Sequence, residues 1–193
     1  MSKNLPPSLE LLWAYSQGFF PMPEPQTEEI EWYRPDPRAI LPLDRFHVSR
    51  SLRKVLRDHT FSVTLNQAFI EVIVGCAARS ETWINGEFMR AYKELHYLGH
   101  AHSVEVWSNN EVVGGVYGVQ VGGAFFAESM FSKKDNTSKI ALYELTKHLR
   151  MQNFTLLEIQ FLTPHLASLG AIEIPDSEYS KLLKLAVKLP CRF

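Results

Sequence analysis

From His102 to Phe131, apolar and polar positions alternate through runs of β-branched and aromatic residues. Asn109-Asn110 and Gly122-Gly123 interrupt the pattern. Successive side chains of a strand face opposite sides. His102, Val104 and Val106 therefore share one face, and Ser103, Glu105 and Trp107 the other. Asn tolerates positive φ, so the Asn pair reads as a hairpin turn. The pattern predicts three consecutive antiparallel strands. Gly114-Gly115 inside the second strand marks a bulge or a place where a ligand or another segment approaches the backbone. The third strand carries Glu128 among Phe125, Phe126, Met130 and Phe131. From these residues alone, Glu128 reads equally as a strand-end charge facing water.

A 3.6-residue period predicts the helices. One follows Ser8 and stops at Gly18, with Leu9, Leu12, Trp13 and Ser16 on one face. A second starts at Ser49, a good N-cap. It sets Arg50, Arg53, Lys54 and Arg57 on one side and Leu52, Val55 and Leu56 on the other. That basic face is either simply solvated or built for a phosphate backbone, because it has no acids at helical spacing to relieve its repulsion. After a short strand, FSVTL, Asn66 is expected to cap a helix to Ala78. Its inward residues are Ala68, Phe69, Val72, Ile73 and Cys76. Further helices run from Phe88 to Leu98, from Ser138 to about Arg150, from Pro164 to Leu169, and from Asp176 with Tyr179, Leu182, Leu183 and Ala186 inward. Ile172 to Ile174 reads as a short strand. Residues 18–44 carry Pro21, Pro23, Pro25, Pro35, Pro37 and Pro42, which exclude a long regular element. This stretch is either a packed wrapping segment or a loop lining a pocket.

The string FTLLEIQF reads as a strand with Thr155, Leu157, Ile159 and Phe161 on one face. Phe154, Leu156, Glu158 and Gln160 take the other. An acid and an amide side by side on a buried strand need a reason. One is a buried ion pair between Glu158 and an Arg. The other is a substrate-facing pair, in which the carboxylate accepts a proton or orients an amine and the amide donates to an oxygen.

Composition narrows the class. The chain has 193 residues, 46% of them hydrophobic, and a net charge of −1, which suits one sizeable domain with a small appendage. Binding nucleic acid through overall charge is excluded, though a local basic patch is not. No apolar run approaches the roughly 20 residues that span a bilayer. The first residues lack the apolar core of a signal peptide. The two cysteines form no disulfide framework, so a reducing cytoplasm is expected. His100 and His102 lack a third ligand, and no metal is expected. No P-loop or dinucleotide fingerprint is present.

The order of elements resembles the acyltransferase fold of enzymes that acetylate amines (the GNAT-like fold). It implies an α+β architecture with a mostly antiparallel central sheet between helices, preceded by a small N-terminal domain. Residues 1–60 are expected to form that domain and 61–193 the catalytic one. Yet FSKKDNTSK, before the Ser138 helix, has no glycine to cradle a coenzyme A pyrophosphate. Eight strings are similar to the bacterial leucyl/phenylalanyl-tRNA–protein transferases. In order they are AYSQGFFP, WYRPDPRAILP, HVSRSLRK, ETWI, LGHAHSVEVW, VVGGVYGV, AESMFSKKDNTSK and LASLGAIEIP.

The resemblance implies transfer of Leu or Phe, more weakly Met, from aminoacyl-tRNA to the N-terminal amine of proteins that begin with Arg or Lys, marking them for N-end-rule degradation. It also implies a monomeric cytoplasmic enzyme without metal or organic cofactor. Glu158 and Gln160 match the family's catalytic D-x-Q pair, with Glu in place of Asp. Glu128 would hold the ammonium of the transferred amino acid. Val116 and Phe125 would line its side-chain pocket, and Trp83 would sit near the terminal adenosine. Met22 stands where the family has Trp. Arg50, Lys54 and Arg57 would meet acceptor-stem phosphates. Two alternatives are a coenzyme A-dependent acyltransferase of the same fold and a non-catalytic tRNA- or peptide-binding module.

Overall fold

The computed structural model describes residues 8–24, 30–78 and 84–193. Helix α1 (Ser8–Ser16) ends at Gly18, whose φ of +82° suits a residue without a side chain. Strands β1 (Phe20–Pro23) and β2 (Ile30–Tyr33) form an antiparallel hairpin on their own. The proline-rich stretch is thus more regular than expected, because a two-stranded sheet is all edge and edge strands accept proline. Strand β3 (Arg38–Ile40), helix α2 (Arg50–Arg57) and strand β4 (Ser62–Leu65) follow. Next come α3 (Phe69–Ala77), α4 (Gly86–Tyr97) and the meander β5 (Ala101–Ser108), β6 (Glu111–Val121) and β7 (Ala124–Ser132). The chain continues through α5 (Thr137–Met151), β8 (Leu156–Gln160), α6 (Pro164–Ala167), β9 (Ile172–Ile174) and α7 (Asp176–Ala186).

Seven strands form one sheet in the order β4-β5-β6-β7-β8-β3-β9. Every neighbouring pair is antiparallel except β7 and β8, which run parallel. Two apolar cores cover its faces. Leu11, Phe69, Val72, Phe88 and Leu183 belong to the first, which holds α1, α3, α4 and α7. Leu52, Ile140, Leu142 and Leu145 belong to the second, under α2 and α5. Alternation along β8 connects them: Leu156 enters the first core, Leu157 and Ile159 the second. This is the GNAT-like acyltransferase architecture. Strand β3 and helix α2 lie within the expected 1–60 unit, yet β3 is an inner strand of the large sheet and α2 buries Leu52 in its second core.

Three local expectations are corrected. On α1 the buried residues are Leu11, Ala14 and Tyr15 together with Ser8, while Leu9 and Trp13 are 69% and 66% exposed. Asn66 does not cap α3. Its φ is +59°, its Oδ1 accepts the Ser103 amide at 3.0 Å, and its amide meets His102 Nδ1 at 3.1 Å. Ser138 lies inside α5, which begins after Asn136 at φ +67°. Ser49 does cap α2, accepting the Leu52 amide at 3.3 Å. Asn109 and Asn110, at φ +52° and +62°, form the expected tight turn.

The sheet contains the bulge that matters most for the site. Tyr117 pairs with Ser129, but Gly118 pairs with Ala127, so Glu128 has no partner on β6. The extra residue flips the alternation of β7. Phe126 and Phe131 both enter the first core, although five residues separate them in sequence. Gly118 is needed beside the bulge. A methyl there would strike the Phe126 carbonyl oxygen and approach Phe125 Cε1 to 2.5 Å and Ala127 Cα to 3.0 Å. Gly118→Ala is expected to cost about 1–3 kcal/mol, read as a lowered urea midpoint at unchanged slope.

Candidate active site

Strands β7 and β8 pair at only three positions, Ala124–Leu156, Phe125–Leu157 and Phe126–Glu158. Beyond them the strands part, β7 running on to Ser132 and β8 to Gln160, and a cleft of about 370 Å³ opens there. Its walls are apolar: Val116, Ala127, Met130, Leu142, Ile159 and Leu166. Ser129 and Thr163 also line it, and two further polar side chains meet there, Glu128 from the bulge and Gln160 from the end of β8. They touch, because Gln160 Nε2 donates to Glu128 Oε1 at 3.3 Å. Gln160 sits at φ +63°, a left-handed conformation that costs a residue with a side chain on the order of 1 kcal/mol or more and recurs at functional sites.

Glu128 is buried in the first core beneath α1 and α4. Tyr15 donates to its Oε1 at 2.7 Å and Tyr92 to its Oε2 at 2.9 Å. The two tyrosine hydroxyls lie 2.8 Å apart. These donors are all neutral, and burial lifts the Glu128 pKa from 4.5 to about 7, with a further push from the Glu158 charge, against the pull of its three donors. Burial likewise pushes the hydroxyls of Tyr15 and Tyr92 well above their usual range, so both remain donors.

Glu158 is placed differently. It is 1% exposed and forms a 2.6 Å ion pair with Arg38, itself fully buried on β3. Tyr179 of α7 donates to its other oxygen at 3.0 Å. Burial raises the Glu158 pKa, against the pull of Arg38 and Tyr179. Arg38 in turn donates to the Gly18 carbonyl at 2.7 Å and lies over the Tyr179 ring at 4.1 Å. Both oxygens of Glu158 are thus engaged, and it does not line the cleft. Of the two readings of this strand face, the buried ion pair is present: Glu158 takes Arg38, while Gln160 alone of the two faces the cleft.

The other expected site residues are spread out. Val116 lines the cleft. Phe125 lies in the second core, with Cε1 against Gly118. Met22 is on β1, half-buried against the first core and outside the cleft lining. Trp83 lies outside the described residues. Arg50, Lys54 and Arg57 are exposed together on α2, and Arg57 has an acidic neighbour, Asp58 at 3.5 Å. Nothing in the sequence assigned Tyr15, Tyr92, Arg38 or Tyr179 to the site. The available signal was general: a tyrosine on a helix's buried stripe, such as Tyr92, needs a partner for its hydroxyl. Among the described residues no cluster of three or more His, Cys, Asp or Glu could hold a metal, and no helix is long and apolar enough to cross a membrane.

Two stability measurements follow from this geometry. Arg38→Met leaves a buried carboxylate unpaired and is expected to cost about 3–5 kcal/mol in urea unfolding, most of which returns on adding Glu158→Leu. The pH dependence of Glu128 has the opposite sign to that of an acid whose pKa is lowered by folding. Its folded pKa is above the unfolded one, so its contribution is fully present below about pH 4.5 and lost as pH rises through about 7. The difference in unfolding free energy between wild type and Glu128→Gln should fall across that window by roughly 3 kcal/mol, at about 1.4 kcal/mol per pKa unit. Glu158, also raised by burial, adds a slope of the same sign that both proteins share.

A family model described as leucyl/phenylalanyl-tRNA protein transferase matches residues 40–184, and the N-terminal domain model of the same transferase matches residues 8–36. A leucyl/phenylalanyl-tRNA–protein transferase of Herpetosiphon aurantiacus is 50% identical over 194 residues, covering 100% of both chains. One from Gloeobacter violaceus is 48% identical over 193 residues, again covering 100% of both. Among solved structures, FemX superposes with a TM-score of 0.52 at 12% identity, covering 89% of this chain and 69% of that one, a likeness of fold alone. With two family models in register and half its residues shared along the whole length of a relative, the chain belongs to the leucyl/phenylalanyl-tRNA–protein transferase family.

Proposed function

We propose that this aminoacyl-tRNA–protein transferase moves Leu or Phe, more weakly Met, from its tRNA ester to the N-terminal α-amine of proteins that begin with Arg or Lys. Its products would enter N-end-rule degradation. One observation carries the reading at the site: an apolar cleft lined by a buried carboxylate and an adjacent carboxamide. An aminoacyl ester with an apolar side chain presents the complementary set, an ammonium, a carbonyl oxygen and a hydrocarbon group. Glu128 would take the ammonium, whose charge offsets that of a carboxylate held by neutral donors. Gln160 would donate to the ester carbonyl. The side chain would rest on Val116, Leu142 and Ile159.

The ester is already activated, so the enzyme's work is to hold two substrates in line. The acceptor nitrogen attacks the ester carbon, the C–N bond forms, and the C–O bond to ribose breaks. The amine loses a proton and the departing ribose oxygen gains one. Glu158, held by Arg38 and Tyr179, suits an electrostatic and positioning role better than a free base. Its ion pair, two residues before Gln160 on the same strand face, would hold the end of the strand that carries the amide. The acceptor amine then reacts as its neutral form. The exposed basic face of α2 would contact tRNA phosphates through Arg50, Lys54 and Arg57, supplying affinity without base readout. We place the enzyme in the cytoplasm as a monomer, with no bound cofactor required by a reaction whose energy resides in the ester.

The deciding assay is mass spectrometry of an Arg-initiated peptide incubated with the protein and Leu-charged tRNA, beside Asp-initiated and N-acetylated peptides. A gain of one leucyl residue on the Arg peptide alone is expected; no gain with either Leu- or Phe-tRNA defeats the reading. Replacing Arg50, Lys54 and Arg57 together with Ala should weaken donor binding. It should also flatten the slope of log K against log salt by roughly 0.7–0.9 for each phosphate no longer neutralised. The Leu-to-Phe preference should stay unchanged in that variant.

A further inference from the structure

Phe193, half-buried, packs against the second core. Its ring stacks on His102 of β5 at 4.3 Å and 13°, and meets His148 of α5 at 4.4 Å. Its third neighbour is Phe125 of β7, at 5.5 Å and 28°. Burial holds His102 at about 4 and lowers His148 as well, so both imidazoles are neutral near pH 7. The segment leading to Phe193 is tied down. Gln120 Nε2 donates to the Cys191 carbonyl at 2.8 Å, and Gly123 leaves room for Leu189 and Cys191, which would lie 3.0 Å and 3.1 Å from a Cβ built there.

The contact that matters runs from Phe193 through Phe125 to the cleft wall. His102 pairs with Gly118, and Gly118 pairs with Ala127, which lines the cleft beside the bulged Glu128. A Cβ built on Gly118 would lie 2.5 Å from Phe125 Cε1 and 3.0 Å from Ala127 Cα, so the Phe125 ring already occupies the space under this wall. Phe125 shares its core with Val116, Leu142 and Ile159, the apolar walls of the cleft. Phe193 backs that ring. Interiors are close-packed, so a ring removed behind a wall lets the wall retreat.

We propose that Phe193 determines amino-acid specificity by setting, through Phe125, how deep the cleft is for the side chain of the transferred residue. Phe193 is a positioning residue. The proposal rests on the donor reading above, since it concerns the same cleft. A shortened side chain at 193 lets Phe125 sink and admits the longer phenylalanyl group; a larger one presses Phe125 forward and favours leucyl.

The test compares kcat/KM for Phe-tRNA and Leu-tRNA in wild type, Phe193→Ala, Phe193→Leu and Phe193→Trp, with an Arg-initiated peptide as acceptor. In parallel, the affinities of phenylalanine and leucine methyl esters are measured by NMR titration, a readout that needs no turnover. Differences of about a methylene in such pockets change selectivity roughly 10-fold or more. Phe193→Ala should therefore raise the Phe:Leu ratio by about 10-fold in both measurements. Phe193→Leu should lie near wild type, and Phe193→Trp should shift the ratio the other way. Equal losses for both amino acids, with the ratio unchanged in transfer and in ester binding, would mean that Phe193 only stabilises the fold, and the proposal fails. A wild type that binds the esters with the expected shifts but transfers neither amino acid would sustain the cleft proposal and defeat the transferase reading.

Discussion

The parting of β7 from β8 is the constraint on which the rest of the molecule turns. Two parallel strands that pair at three positions and then diverge leave backbone groups without lateral partners, and buried backbone groups must be satisfied somehow. Each strand is locally irregular at this parting. On β7 the extra residue of the bulge is Glu128; on β8 the chain turns left-handed at Gln160. The two side chains that would do chemistry stand where the sheet stops being regular. The glycine that permits the bulge, the arginine that anchors Glu158 and the tyrosines that receive Glu128 all serve these two departures from regular pairing.

The charge balance of this region is uneven by construction. Both carboxylates lie on the same side of the sheet. Arg38 neutralises Glu158 and completes a network that closes on Gly18, β3 and α7. Glu128 receives neutral donors, two hydroxyls and an amide. A buried acid so surrounded is held in place but not electrically satisfied, and a ligand bearing an ammonium completes it. The ion pair and the acid held by neutral donors thus differ in what they leave for a ligand: nothing at Glu158, a charge at Glu128.

Much of this was readable along the chain, and the unread part has a common cause. The meander declared itself because its signals are adjacent: alternation in β5 and β6, the Asn109-Asn110 turn, the Gly122-Gly123 turn. Glu158 and Gln160 stood out because polar side chains on an apolar strand violate a local rule. Arg38, Tyr15 and Tyr92 did not stand out, because their partners lie 120, 113 and 36 residues away. Strand β3 was hidden among prolines, since its burial comes from β8 and β9 on either side rather than from its own three residues. The buried face of α1 differs from the expected one because Leu9 and Trp13 are as apolar as Leu11 and Tyr15, and the positions of α4 and β6 decide between them. Asn66 has the right chemistry for a cap, but Ser103 on a neighbouring strand uses it first.

The meander and the strands beyond it also differ in chain entropy. Strands β5, β6 and β7 are joined by turns of two residues, so their pairing closes very short loops. The Arg38–Glu158 contact, by contrast, closes a loop of 120 residues. The cleft lies on the seam between these regimes, with Glu128 on the local side and Gln160 on the distant side. A chain that has formed only its meander has a sheet but no cleft, because the second wall arrives with the long-range strands. The catalytic apparatus is therefore the property of a completed topology, and a partly folded chain has no half-built cleft with which to bind its donor.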